Sequence, residues 1–408
     1  MNHAFARTST LFLLTASAFA VQAQSAAGIT QNEGESVKSI YTAPVSGLPI
    51  RFDNGIFVYG AAQIGAGHDS NVRASEDDVR SSSTLSLRPN VVGELKRGAN
   101  RYTLSYLGDY TQYSRDKDYN YNHHTITLAA DQYFTARSRL GLAFDLVDRT
   151  DGPSDTVEQS DKPDRWNSTN LRGLYVYGAD GAKGRVEFEG SMQSKRYQNN
   201  LALTRGSDIN ANGLSGRFFW RVMPNTYATF ELRRFDNDYR LATSTNDNID
   251  TRALVGVTWD ITRITSGTIK VGQQNKNYSQ RDDVKRGTYE AQIQWSPRTY
   301  STFTLNASRS QEDAADVSTS TANKRHSLRW NHAWSESLSS NVGLSKANAT
   351  FANSGRQDAT TSASVGLSYQ VRSNLGLALD FTRAKRDSNT AGFNYKRNTV
   401  FASVQVAL

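Results

Sequence analysis

Residues 287–308, GTYEAQIQWSPRTYSTFTLNAS, alternate with a period of two: Tyr289, Ala291, Ile293 and Trp295 fall on one side, Glu290, Gln292 and Gln294 on the other. That period places apolar side chains on one face of an extended strand and polar ones on the other. A turn at Ser296 to Arg298, with Pro297, is expected next, followed by a second alternating strand in which Phe303, Leu305 and Ala307 oppose Thr302, Thr304, Asn306 and Ser308. The unit is a β-hairpin with an aromatic residue beside its turn.

The same unit recurs. Stretches around Trp220, Trp259, Trp295, Trp334 and Tyr369 each run from an alternating strand through an aromatic into a short polar turn and out again. Self-similarity at a period of roughly 35 to 45 residues marks a repeated structural unit, and both propellers and up-and-down barrels are built that way. From Gly55 onward about eighteen strand segments can be laid out. Short turns near 97–100, 136–138, 179–181, 224–225, 262–263, 297–298, 335–336 and 372–373 alternate with longer polar segments such as 67–81, 150–167, 199–207 and 311–321. Alternating short and long connections are the signature of a transmembrane barrel, which a propeller need not obey.

Each segment reaches the ~9 to 11 residues that a tilted membrane strand requires. The expected fold is therefore all-β: one antiparallel up-and-down transmembrane barrel over residues 55–408, with short periplasmic turns and longer extracellular loops. Its lipid face would carry Leu85, Leu87 and Val91, Leu104, Leu142 and Phe144, Phe230 and Leu232, Val255 and Val257, and Leu377, Leu379 and Phe381. The opposite face would turn Arg88, Asp109, Asp145, Arg185, Glu187, Glu189, Arg217, Glu231, Arg233, Arg252, Lys270, Glu290, Arg329 and Asp380 into the lumen. In a soluble sandwich the apolar faces would pack on each other instead. Closure into a cylinder leaves no edge unpaired in lipid, and favours the barrel. Trp220, Trp259, Trp295, Trp334 and Tyr369, sharing one position relative to the turns, would form an aromatic girdle at one membrane boundary.

The N-terminus carries Arg7, an apolar run from Leu11 to Val21 and small residues at Val21 and Ala23, which reads as a secretory signal peptide over residues 1–23. Residues 24–54 lack periodicity and read as a periplasmic lead segment. A secreted chain makes nucleic acid an improbable partner despite the formal charge of +8. Basic residues recur near the long-loop ends of strands, at Lys195 and Arg196, Arg234, Lys285 and Arg286, Lys324 and Arg325, Lys385 and Arg386, and Lys396 and Arg397. They are candidates for contact with lipopolysaccharide, whose phosphates attract clustered cations. Outer-membrane lipids and the barrel-assembly machinery are the other expected partners, since the chain ends on an alternating strand from Thr399 to Leu408.

No enzyme is expected, and neither cofactor nor metal. Cysteine is absent, so no thiolate site exists. There is no HExxH pair, GxSxG elbow or Walker loop. His123 and His124 are adjacent and so face opposite sides of a strand. The loop acids Asp151, Asp155, Asp161 and Asp164 lack the spacing of a calcium loop.

Gly67 to Val72 (GHDSNV), Leu107 to Tyr113 (LGDYTQY), Gly178 to Gly184 (GADGAKG), Trp295 to Tyr300 (WSPRTY) and Asn394 to Asn398 (NYKRN) resemble recurring stretches of the β-barrel porin family found with exopolysaccharide and capsule export loci. The resemblance spans Gly55 to Leu408. It implies an outer-membrane channel taking part in export of an extracellular polysaccharide, served by a periplasmic polysaccharide-export protein. The residues alone suit a passive porin for small hydrophilic solutes equally well, and leave open a plugged structural or adhesive barrel.

Overall fold

The computed structural model describes residues 49–152, 162–179, 181–260, 264–313, 320–352 and 354–407. The signal-peptide reading, most of the lead segment, Asp155, Asp161, Asp180, Thr262, Arg263 and Leu408 lie outside the described residues.

Alternation has produced long strands in a single antiparallel sheet. A two-residue strand, β1 (Ile50–Arg51), is followed by β2 (Ile56–Asp69), β3 (Ser82–Arg97), β4 (Asn100–Tyr113), β5 (Tyr121–Thr135), β6 (Ser138–Thr150), β7 (Arg165–Tyr177), β8 (Gly184–Tyr197), β9 (Ile209–Met223) and β10 (Thr226–Tyr239). The second half comprises β11 (Asn248–Asp260), β12 (Thr265–Tyr278), β13 (Val284–Arg298), β14 (Ser301–Asp313), β15 (Ser320–Ala333), β16 (Leu338–Phe351), β17 (Gln357–Arg372), β18 (Leu375–Ser388) and β19 (Tyr395–Ala407). Each strand from β2 to β19 pairs with its neighbours in the sequence, and β19 closes the ring on β2 from Thr399 opposite Asp69 to Ala407 opposite Ala61. Setting aside β1, the nineteen strands of the sheet form a closed cylinder of eighteen.

Closure removes every free edge along the span, which is why the fold tolerates so little buried apolar surface. The large apolar residues point outward and stay exposed, among them Leu85, Leu104, Phe230, Leu232, Val255, Leu344 and Leu379. The buried residues are mostly polar, and they lie inside. Such a protein is inverted relative to a water-soluble one, as a barrel in lipid must be. No described helix is long and apolar enough to cross a membrane.

Three boundaries differ from the sequence reading. Residues 49–54 are not wholly aperiodic, because Ile50 and Arg51 pair with Val58 and Phe57 on the edge of β2 that lies just beyond the end of β19. The lead segment thus caps the seam where the chain's two ends meet. The turn expected at Ser296 to Arg298 falls at residues 299–300, since β13 continues to Arg298 through a register shift after Trp295. Pro297 cannot donate to a ladder, and the irregularity accommodates it. Finally, the loop asymmetry is clear between β2 and β3, between β6 and β7 and between β8 and β9, but weak at 279–283, where β13 already begins at Val284, within the loop expected at 280–286.

Candidate functional site

The inner wall is built by the period of two. Arg217 on β9 lies directly opposite both Glu187 on β8 and Glu231 on β10, so all three side chains share one face. Lys270 on β12 faces Glu290 on β13 in the same way. Every one of the fourteen lumen candidates follows this parity: Arg88, Asp109, Asp145, Arg185, Glu187, Glu189, Arg217, Glu231, Arg233, Arg252, Lys270, Glu290, Arg329 and Asp380 all sit on the face opposite the exposed apolar residues.

The wall brings most of them together. Arg217 reaches Glu187 at 2.9 Å and Glu231 at 3.0 Å, and also pairs with Glu189. Glu231 in turn meets Arg233 at 2.6 Å and Lys270 at 2.9 Å. Glu290 completes the chain through Arg233 at 2.8 Å and Lys270 at 3.1 Å. Arg185 joins Glu187 at 3.2 Å, and Arg252 pairs with Asp250 at 3.0 Å. On the other wall Arg88 lies 3.2 Å from Asp109, and Thr127 donates to Asp145 at 2.6 Å. Arg329 and Asp380 share the inner face but stand apart from the β8–β13 network. The pairing offsets the cost of removing these charges from water more than it adds stability.

Arg233 can touch Glu290 although two strands intervene, because the sheet is creased. Gly256 and Gly272 lie on the inner face of β11 and β12, Gly256 opposite Lys270 and Gly272 opposite Leu254. A Cβ on Gly256 would collide with the Ile269 carbonyl oxygen, and one on Gly272 with that of Ala253. A concave bend this tight excludes side chains at its apex, which is the role of glycine there. The bend folds β10 towards β13 and buries Leu254, an apolar residue on the polar side, in the gap the glycines leave.

A second inward feature went unread in the sequence. Pairing of β12 with β13 continues to Lys276 opposite Val284, but pairing of β13 with β14 stops at Tyr289 opposite Arg309. Beyond that point Gln311 and Asp313, which have the parity of the outward-facing Leu305 and Ala307, contact inward-facing side chains of β12. The tip of β14 has therefore bent inside the wall, carrying its partner β15 with it through the pairs Gln311–Ala322 and Asp313–Ser320.

The tuck is pinned at both of those residues. Gln274 exchanges two hydrogen bonds with the Gln311 backbone, each 2.9 Å, taking the place of the missing ladder. The Asp313 carboxylate accepts from Lys276 Nζ at 2.6 Å, Tyr278 Oη at 2.6 Å, Asn248 Nδ2 at 3.0 Å and Tyr239 Oη at 3.1 Å, with Arg281 at 3.4 Å. Both side chains of the Lys276–Asp313 pair are 0% exposed. Glu312, on the other side of the tip, holds Arg325 at 2.7 Å and Asn323 at 2.6 Å. The sequence reading placed residues 311–321 in an outer loop. Its one warning sign is that Gln311, Glu312 and Asp313 are polar on both faces, as a strand leaving lipid must be.

The paired basic residues are corrected by the same period of two. Neighbours on a strand face opposite sides, so Lys195, Arg325, Arg386 and Arg397 point inward and cannot reach lipid. Lys195 is buried over the Trp166 ring and bonds Tyr197 at 2.9 Å, Arg325 is held by Glu312, Arg386 lies over Tyr395, and Arg397 binds Asp69 at 2.9 Å. Arg196, though outward, is committed to the Ile209 carbonyl at 2.7 Å and to Asn210. Arg286, opposite the inward-facing Gln274, also has the inward parity although it is exposed; Arg234, Lys285, Lys324 and Lys396 are exposed on the outer face, and Lys385 lies 2.7 Å from Asp387. Trp220, Trp295, Trp334 and Tyr369 are exposed at the short-turn end, with Trp259 half-buried at the same level opposite Thr226. His123 and His124 diverge, the first bonding Thr150 at 2.8 Å and the second Tyr106 at 2.9 Å. Asp151 accepts from Trp166 Nε1 at 2.6 Å and from Tyr197 Oη at 2.8 Å. Among the described residues no group of three or more His or acidic side chains could hold a metal ion.

A family profile described as "Putative beta-barrel porin 2" matches residues 54–408, the whole cylinder. The chain belongs to this family. It is an outer-membrane β-barrel channel and not an enzyme. Among solved structures the porin is similar to OccK2 (OpdF) of Pseudomonas aeruginosa, at 9% identity and a TM-score of 0.50, covering 86% of this chain and 98% of that one. A BenF-like porin from Pseudomonas fluorescens Pf-5 matches at 8% identity and a TM-score of 0.49, over 86% of this chain and 99% of that one. At such identities the likeness concerns the fold alone. No curated protein matches the sequence.

Proposed function

We propose that this porin passes hydroxyl-rich solutes and takes part in exporting an extracellular polysaccharide. The observation that carries the reading is the pairing of charges along the inner wall. From Glu187 through Arg217, Glu231, Arg233 and Lys270 to Glu290, each charge has an opposite one within 3.2 Å. Such a wall offers many donors and acceptors with little net field. A sugar chain is then held by weak, distributed hydrogen bonds, the condition for passage rather than capture. Resemblance to porins of polysaccharide loci supplies the polymer. A periplasmic polysaccharide-export protein would hand it over at the short-turn end.

The tucked β14–β15 tip favours a second reading, passive diffusion of small hydrophilic solutes, because a polymer needs the mouth clear. Deleting the gene separates the two. Polymer trapped in the periplasm supports export, whereas normal surface polymer with slower uptake of small sugars supports the porin. Absence of conductance in planar bilayers would remove both and leave a plugged structural barrel.

A further inference from the structure

The outer faces of β14 to β19 carry a one-sided row of basic side chains at the upper edge of the apolar band. His326 lies opposite Lys346, Lys346 opposite Thr361, Thr361 opposite Lys385, and Lys385 opposite Lys396. One step further out, Arg309 lies opposite Lys324. Below the row Arg383 follows Lys385 on the outer face of β18, and further down the same faces are apolar, with Leu328, Leu344, Val365, Phe381 and Val400 exposed. At about 4.8 Å per strand the row spans roughly 19 Å of wall from β15 to β19.

Two features make this more than a solvated rim. Like charges directly opposite on neighbouring strands are destabilising, yet the arrangement occurs twice, at Lys385–Lys396 and at Arg309–Lys324. Only Lys385 has an acidic neighbour, Asp387, and no ion pair joins Lys324, Lys346, Lys396 or Arg309 to an acid among the described residues. On the far side of the barrel the corresponding positions are mixed: Asp148 is paired with Arg165 at 2.6 Å, and Arg234 is followed on its face by Asp236 and Asp238. A row of basic side chains, of which Lys385 alone is paired with an acid among the described residues, above lipid-facing apolar residues matches a ligand with acyl chains below and phosphates above.

We infer that the outer face of β14 to β19 is a docking surface for lipopolysaccharide, with Lys346, Lys385 and Lys396 holding the lipid A phosphates and Arg309 and Lys324 extending the row.

The test uses the purified barrel, with bisphosphorylated lipid A and its dephosphorylated form as probes, read by native mass spectrometry. The variant Lys346→Glu/Lys385→Glu/Lys396→Glu is compared with a control of equal charge change on other exposed cations, Arg97→Glu/Arg137→Glu/Arg234→Glu. The expected result is binding of bisphosphorylated lipid A about tenfold weaker or more in the first variant and unchanged in the control. Wild-type protein should discriminate by a similar factor against the dephosphorylated probe. Equal binding by wild type and the first variant, equal loss in both variants, or no discrimination between the probes overturns the assignment. Heat-modifiable migration on gels confirms folding. Should the glutamate variant fail to fold, Lys346→Gln/Lys385→Gln/Lys396→Gln decides by the same readings.

Discussion

Replacing Asp313 with Asn tests whether the β14–β15 tip is held inside the barrel by its buried charge. The substitution is nearly isosteric, so packing is preserved, and its one amide oxygen keeps an acceptor for either Tyr278, which donates to Oδ1, or Tyr239, which donates to Oδ2. What it removes is the negative charge 2.6 Å from Lys276 Nζ, leaving an ammonium with 0% exposure and no compensation beside a second cation, Arg281. Breaking a buried pair from one side costs about 3–5 kcal/mol. The tucked state bears that cost, because once the tip withdraws Lys276 meets lumen water. About 3 kcal/mol is roughly a hundredfold in the balance between tucked and released tips. Single-channel recording in planar bilayers should then show either a larger steady conductance for Asp313→Asn or switching to a second, higher level. Adding Lys276→Met removes the stranded charge and should return the channel towards wild-type conductance, since neutralising both partners is far milder than neutralising one. Identical conductance and noise in wild type and Asp313→Asn, with both barrels heat-modifiable, would refute the reasoning.

Arg217→Ala should leave Glu187 and Glu189 facing the lumen without their shared guanidinium, shifting selectivity towards cations; a reversal potential measured under a salt gradient reports it. Gly272→Val should prevent assembly of the crease, because its side chain meets the backbone of Ala253 and Leu254; loss of the heat-modifiable form checks this. Leu344→Arg, in the apolar band, should destabilise the inserted barrel by about 2–4 kcal/mol in reversible unfolding from lipid vesicles, whereas Thr304→Arg on the inner face should cost much less.

Alternation made the cylinder legible because a strand between lipid and water has one rule per face. Tyr289 to Trp295 obey it, and so do all fourteen inward charges, since parity is a local property that one sequence displays. The same rule, applied strictly, would have split Lys324 from Arg325 and Lys396 from Arg397 at the outset; reading them as pairs overlooked that adjacent residues belong to opposite sides of the wall. The crease and the tuck are different in kind. Gly256 and Gly272 look like any strand glycines until the register sets each beside the other's strand. Asp313 gains its meaning from Tyr239, Asn248 and Lys276, three residues on three other strands. These are non-local facts, fixed by where the sheet bends, and a period of two contains no information about bending. They are also what gives this cylinder a particular inner surface. The repeated pattern specifies a barrel, while its local exceptions set the width of the mouth and the charge that a passing solute meets.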